Sequence, residues 1–265
     1  MQTLNLFAIV KVNLTNIKIW NKEAILLSAM ILFHVFSLCC SAQSVETRAD
    51  SGSIPRITRE NVPYLVDIKN ANDKRQTILY FHPDADIKKY PLFVYKPNVE
   101  KINPISNESK IPDDILDLPI RIVNDTQGRD SITIRELSKD KILVLDFWAR
   151  WCSPCIKAMD KWQDLQPEYN KQVLAVGMML DWDFMAELMI KEKGWSMPQL
   201  VGPEVWLLNA YFCGRSVTGP SAWVRNNVFI GIPDTKADTK RLLDRLIAGD
   251  ISTIPQELRL KSDIR

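Results

Sequence analysis

Asp146-Phe147-Trp148-Ala149-Arg150-Trp151-Cys152-Ser153-Pro154-Cys155 is the stretch on which the reading of this chain turns. The apolar run Ile142-Leu143-Val144-Leu145 leads into it with the pattern of a buried strand. A helical pattern starts at the cysteines, so both sulfurs fall at a strand-to-helix turn. A helix N-terminus presents unpaired N–H groups and about half a positive charge, which favours a thiolate at the first cysteine. The second cysteine lies one turn further on, within disulfide reach. Pro154 fits that first turn, where a missing N–H costs nothing.

The start of the chain has another character. Lys11, Lys18 and Lys22 precede Ala24 to Cys40, an apolar run without Asp, Glu, Lys or Arg, and Cys40-Ser41-Ala42 then presents small residues before a polar stretch. A basic front, a short apolar middle and a small-residue exit read as a secretory signal over residues 1–42, cleaved after Ala42. The alternative is a retained membrane anchor, for which the run stands at the low edge of the roughly 17–25 residues needed to span a bilayer. Without Lys11, Lys18, Lys22 and Glu23 the 34 basic and 32 acidic side chains come into balance. No basic excess then points to nucleic acid or to an anionic membrane surface. Of the 5 cysteines only Cys152, Cys155 and Cys213 remain, too few for a disulfide-stapled scaffold but suited to one redox pair plus one further thiol.

Residues 43–116 read as a polar leader to about residue 62, a small β-rich element and a linker over Asn103 to Asp114. Two β-rich runs, Thr77 to Phe81 and Tyr90 to Tyr95, are joined by the turn-rich Pro83-Asp84-Ala85-Asp86. His82, the one histidine after residue 42, stands at the edge of the first run and reads as structural. Residues 117–265 alternate strands and helices, the signature of an α/β layer structure. Ile120 to Val123 is a strand, Ile134 to Leu137 a short helix, and Ile156, Met159, Trp162 and Leu165 mark one face of a helix from Cys155 to Tyr169. Val173 to Leu180 reads as a strand buried on both faces. Helices follow at Asp183 to Lys193 and Glu204 to Phe212. A hairpin turns at Asn226-Asn227, where both residues tolerate positive φ, and Leu242, Leu243, Leu246 and Ile247 stripe a closing helix.

Trp151-Cys152-Ser153-Pro154-Cys155 after a strand, then helix, strand, helix, a Gly-Pro ahead of a hairpin and a final helix, resembles the thioredoxin superfamily. The secretory start, the strand and turn ahead of the core, and the run Leu145 to Cys152 point more narrowly to its envelope branch, the TlpA/ResA-like thiol-disulfide oxidoreductases. The likeness covers roughly residues 117–250. It implies an α/β fold, a thioredoxin-like central mixed sheet flanked by helices, here with a small N-terminal β-rich extension.

It also implies residue roles. Cys152 is the nucleophile that attacks a substrate disulfide, and Cys155 the resolving thiol, the two cycling through a redox-active disulfide. Asp146 matches the buried acid beneath the dithiol, where desolvation raises its pKa and makes it a base near neutrality. Pro220, in Thr218-Gly219-Pro220-Ser221, aligns with the cis-proline loop that faces the dithiol, and Gly219 leaves room beside the sulfurs. Trp148 and Trp151 are expected to line a peptide groove, and the other tryptophans to pack. Ala158, Met159 and Asp160 stand where close relatives carry a Glu and a Pro, so no role of that Glu carries over.

The expected activity is reduction of protein disulfides in a periplasm or cell envelope, because strongly oxidising relatives place a histidine between the cysteines where this chain has Ser153-Pro154. Partners would be disulfide-bearing envelope proteins and a membrane-embedded thiol electron donor, without a cofactor, a metal or nucleic acid; a membrane contact requires retention of the N-terminal segment. Two alternatives belong to other classes. A copper metallochaperone would use the thiols as soft ligands, though relatives of that kind space them further apart and add a histidine. A redox-inactive binding module would keep the fold and lack turnover.

Overall fold

The structure, a computed structural model, describes Thr58 and residues 60–255. The expected signal segment and its cleavage site lie outside the described residues. Among the described residues no helix is long and apolar enough to cross a membrane.

In chain order the first part holds helix α1 (Val62–Leu65), strand β1 (Val66–Asn70), helix α2 (Arg75–Phe81), strand β2 (Phe93–Pro97) and helix α3 (Asp113–Leu116). There follow β3 (Ile120–Ile122), β4 (Ser131–Ile132), α4 (Ile134–Leu137), β5 (Ile142–Trp148), α5 (Ser153–Tyr169), β6 (Val173–Met179), α6 (Asp183–Lys193), β7 (Gln199–Val201), α7 (Pro203–Cys213), β8 (Ser221–Arg225), β9 (Val228–Gly231) and α8 (Thr239–Ala248). Strands β3 to β9 form one mixed sheet in the order β4-β3-β7-β6-β5-β8-β9. β5 pairs in parallel with β6, and β6 with β7, while β8 runs antiparallel to β5 and turns back into β9. At that turn Asn226 and Asn227 both hold positive φ, 52° and 62°, as a tight two-residue hairpin requires.

Every residue of β5 is buried. Leu143, Leu145 and Phe147 face one hydrophobic layer, which also holds α7; Ile142, Val144 and Trp148 face the other, with α5, α6 and α8. By the same alternation Asp146 points toward the α5 layer. The buried stripe of α5 is Cys155, Met159, Trp162 and Tyr169, with Ile156 and Leu165 at its edges. The face keeps Met159 and Trp162 of the one expected, with Cys155 in place of Ile156 at its start.

The first part of the chain differs from expectation in two places. Thr77 to Phe81 is helical, not a strand, and the strand partner of Phe93–Pro97 is Val66–Asn70. β-branched and aromatic residues favour a strand only where a pleated surface receives them. Here Ile78 is the buried member of α2, and the chain is committed to a turn of helix by the 3-10 turn at Asn72–Lys74. The second difference is the expected linker. Ile102, Ile105 and Ile111 are buried, the Ile105 N–H donates to the Tyr211 carbonyl at 3.0 Å, and the Ile111 N–H to the Asn227 carbonyl at 2.8 Å. A bridge between Lys110 and Val228 continues the sheet beyond β9.

These contacts explain α7. Six consecutive residues of it, Leu207 to Phe212, are buried, as are Glu204 and Val205. A helix apolar all round must be covered all round; the sheet lies on one side, and α1, β1 and β2 on the other. The join includes a buried hydrogen bond from the Tyr95 hydroxyl to Asp183 Oδ2 at 2.9 Å, while Asp183 Oδ1 accepts from the Gly202 N–H at 3.2 Å. If the 103–114 segment is part of the folded unit, Ile111→Ala will lower stability by about 2–5 kcal/mol. Denaturant unfolding measures this; a loss within about 0.5 kcal/mol would mark the segment as a dispensable connection.

Candidate redox site

The site lies where β5 hands the chain to α5. Cys152 is the N-cap residue of α5, its sulfur accepting from the Cys155 N–H at 3.3 Å, with Pro154 inside the first turn. Cys152 and Cys155 are joined by a disulfide, with Cα atoms 5.2 Å apart. The two sulfurs are not equivalent to an incoming partner. Cys155 is 2 % exposed, on the inner face of α5, whereas Cys152 is half-buried and its neighbour Trp151 is 69 % exposed.

The Gly219-Pro220 loop stands against this pair. The Gly219 N–H donates to the Phe147 carbonyl at 2.7 Å and the Phe147 N–H to the Pro220 carbonyl at 3.1 Å, which ties the loop to the end of β5. Gly219 has φ +107°, and a Cβ placed there would come 3.8 Å from the Cys155 sulfur. That distance is ordinary van der Waals contact, so it is the backbone conformation, not lack of space beside the sulfur, that suits glycine here.

Asp146 is buried in β5, and burial raises its pKa to about 7, opposed by a hydrogen bond from the Trp162 indole of α5. That bond, Trp162 Nε1 to Asp146 Oδ2, is 2.9 Å long. The expectation for Trp148 has to be corrected. Its ring is fully buried, edge-on to Trp195 with centroids 5.0 Å apart, and its Nε1 donates to Gln199 Oε1 at 3.0 Å. The last residue of a strand covered on both faces points inward, so Trp148 packs and does not line a groove. Trp151, beyond the strand end, is the exposed one.

A groove of about 690 Å³ opens beside Trp151 and Ser153, the residues on either side of Cys152, and is bounded by Arg150, Trp182, Met185 and His82. His82 comes from the end of α2, and its ring lies 5.9 Å from that of Phe184. Its pKa is lowered by burial first and by the positive Arg150 second, with Asp181 acting the other way. From sequence His82 reads as structural, and it is the packing of its ring near Phe184 of α6 that brings it to this groove. The role of Trp162 was also missed; a buried indole needs an acceptor for its N–H, and Asp146 is the carboxylate of the adjacent strand. Cys213, the last residue of α7, is half-buried and 3.7 Å from Asn209 Nδ2, remote from the pair in the fold's layering. Among the described residues no three His, Cys, Asp or Glu side chains cluster as a metal site would require.

The Thioredoxin family model matches residues 130–202, from β4's lead-in to the end of β7. Thioredoxin-1 of Drosophila melanogaster is 35% identical over 82 residues, which cover 31% of this chain and 70% of that protein. Thiol-disulfide oxidoreductase ResA of Bacillus anthracis is 37% identical over 54 residues, and there the match spans 20% of this chain and 30% of the relative. Among solved structures, a DsbF homologue from Corynebacterium diphtheriae superposes with a TM-score of 0.37 at 19% identity, over 56% of this chain and 99% of that one. A dithiol at the head of α5 in a sheet of this order, together with a thioredoxin matched over more than two thirds of its length, makes the chain a member of the thioredoxin family of thiol-disulfide oxidoreductases.

Proposed function

We propose that the protein reduces disulfides of other proteins in the cell envelope, with Cys152 as nucleophile and Cys155 as resolving thiol. The observation that carries this assignment is the asymmetry of exposure: Cys152 sits at the surface between exposed Trp151 and Ser153, and Cys155 is enclosed. The Cys152 thiolate attacks one sulfur of the substrate disulfide, forming a mixed disulfide and releasing the other sulfur as a thiolate. Cys155 gives its proton to Asp146, attacks the Cys152 sulfur, and displaces the second substrate thiolate. The Cys152–Cys155 disulfide that results has to be reduced again by two electrons from a thiol donor, for which a membrane-embedded dithiol is the proposed source. Gly219 borders the Cys155 sulfur on the loop side, with Pro220 next to it in the chain, and Trp151 adjoins Cys152 on the groove side, the surfaces against which an extended substrate segment would lie. Tyr80 and Phe81, exposed just ahead of His82, extend apolar surface along that edge.

The envelope location rests on the secretory pattern of residues 1–42 and on the likeness to the ResA branch. The reducing direction rests on Ser153 and Pro154, which supply no positive charge between the cysteines to stabilise the Cys152 thiolate and so favour the reduced form.

Cys155→Ala in the full chain is expected to accumulate mixed disulfides with its substrates, visible as reductant-sensitive high-mass bands, and Cys152→Ser to accumulate none; equal trapping by both variants would reverse the two roles. A redox titration of the Cys152–Cys155 pair is expected to give a potential toward the thioredoxin value of about −270 mV, and one near −120 mV would make the protein an oxidant. Asp146 carries a pH signature of its own. Its folded pKa of about 7 stands above the unfolded value, so the native state holds a proton that the unfolded chain releases. The corresponding stability is complete below about pH 4 and is lost as pH rises to about 7. Asp146→Asn should accordingly be more stable than the parent at pH 8, by up to about 4 kcal/mol, and close to it at pH 4; parallel stability curves across that range would mean an Asp146 carboxyl with an ordinary pKa.

A further inference from the structure

Trp162 reaches from α5 to β5. It lies seven residues after Cys155, two helical turns along and on the same face. It is 6 % exposed and donates to Asp146 Oδ2 at 2.9 Å. Its ring is held from behind by Trp223, edge-on with centroids 5.8 Å apart. Trp223 Nε1 in turn donates to Ser221 Oγ, and Ser221 is the β8 residue directly opposite Asp146. The other carboxyl oxygen, Asp146 Oδ1, is buried and makes no hydrogen bond among the described residues.

The two oxygens are therefore chemically distinct. An indole N–H is a donor only, so the oxygen it reaches must act as acceptor in both protonation states. When Asp146 is neutral, its proton belongs on Oδ1. When Asp146 is ionised, the indole hydrogen bond becomes charge-assisted and stronger. The other neighbours do not compete for the carboxyl. β6 places Gly177 beside it and β8 places Ser221, neither of them titratable; the titratable side chains on the inner face of α5 are Cys155 and, fourteen residues further along, Tyr169, whose hydroxyl donates to Asp244 instead. No charged side chain contributes to the titration of Asp146.

We propose that Trp162 is a positioning residue for the dithiol chemistry, pinning Asp146 through Oδ2 so that Oδ1 is the oxygen that takes and returns the proton of Cys155. This rests on the reading of Asp146 as proton acceptor. Without the indole the carboxyl could turn about χ2, the proton could reside on either oxygen, and the ionised form would lose its one donor.

The test is Trp162→Phe in the full chain, which keeps an aromatic ring against Trp223 and removes the N–H. The Asp146 carboxyl, followed by carbon NMR, is expected to titrate about one pH unit higher. Resolution of a preformed Cys152 mixed disulfide should slow about fivefold at pH 7, its pH profile moving by the same amount, while attack of Cys152 on a small aromatic disulfide keeps its rate. In an Asp146→Asn background the same substitution should leave resolution unchanged, because the indole then has no carboxyl to hold; equal slowing in both backgrounds would assign Trp162 a packing role and overturn the proposal. An unmoved Asp146 titration in Trp162→Phe, with Asp146→Asn itself slowing resolution, also overturns it and leaves the acceptor intact. If Asp146→Asn resolves at the parental rate with the parental pH profile, the acceptor reading is what fails, and the role of Trp162 falls with it.

Discussion

The position of the whole site depends on β5 being paired along both edges and covered on both faces. A strand so enclosed cannot slip by one residue, since that would exchange Leu143, Leu145 and Phe147 with Val144, Asp146 and Trp148 between the two layers. Register therefore fixes Asp146 toward α5 and sets the point at which the backbone leaves the sheet. From there the chain has only Ala149 to Trp151 before Cys152 caps α5. The carboxylate, the dithiol and the Gly219-Pro220 loop are held to one another through the end of this strand, the loop by its reciprocal hydrogen bonds with Phe147.

The part of the chain ahead of the family-matched core is built into this frame through α7. Strands β1 and β2 and helix α1 cover the side of α7 that faces away from the sheet, and Tyr95 binds the carboxyl of Asp183 at the start of α6. Burial raises the pKa of Asp183 to about 6, opposed by the hydrogen bonds from Tyr95 and the Gly202 N–H. The same extension delivers His82 to the groove beside Trp151. Segments that complete the core on one side thus contribute to the surface around the dithiol on the other.

The central layer was readable because its residues carry local signals that agree with one another: apolar runs for β5 and β6, a capping box at Thr133 and Glu136 for α4, two asparagines for the β8–β9 turn, and cysteines at a strand-to-helix junction. The extension was not, for physical reasons. β1 reads Val-Asp-Ile-Lys-Asn with one buried residue, a solvent-facing edge with little alternation to detect. Residues 77–81 have strand composition, yet they continue the 3-10 turn at Asn72–Lys74 as a helix that buries Ile78. Trp148 and Trp151 sit three positions apart with the same chemistry; whether each faces a core or water is decided by where the strand ends. The Asp146–Trp162 contact could be suspected from helical spacing, whereas the approach of His82 depends on a packing between segments about a hundred residues apart in sequence.

One further arrangement bears on how sequences of this kind can vary. Gly177 sits beside Asp146 in the sheet, and the space a side chain would occupy there is filled by the amide of Gln199, which is also the acceptor for the Trp148 indole and donates to the Met197 carbonyl. Any larger residue at 177 would evict that amide and leave a buried indole N–H without its acceptor. Positions 148, 177 and 199 consequently make a three-part lock: a change at one is accessible only together with changes at the others, and the strand that presents the dithiol inherits that restriction.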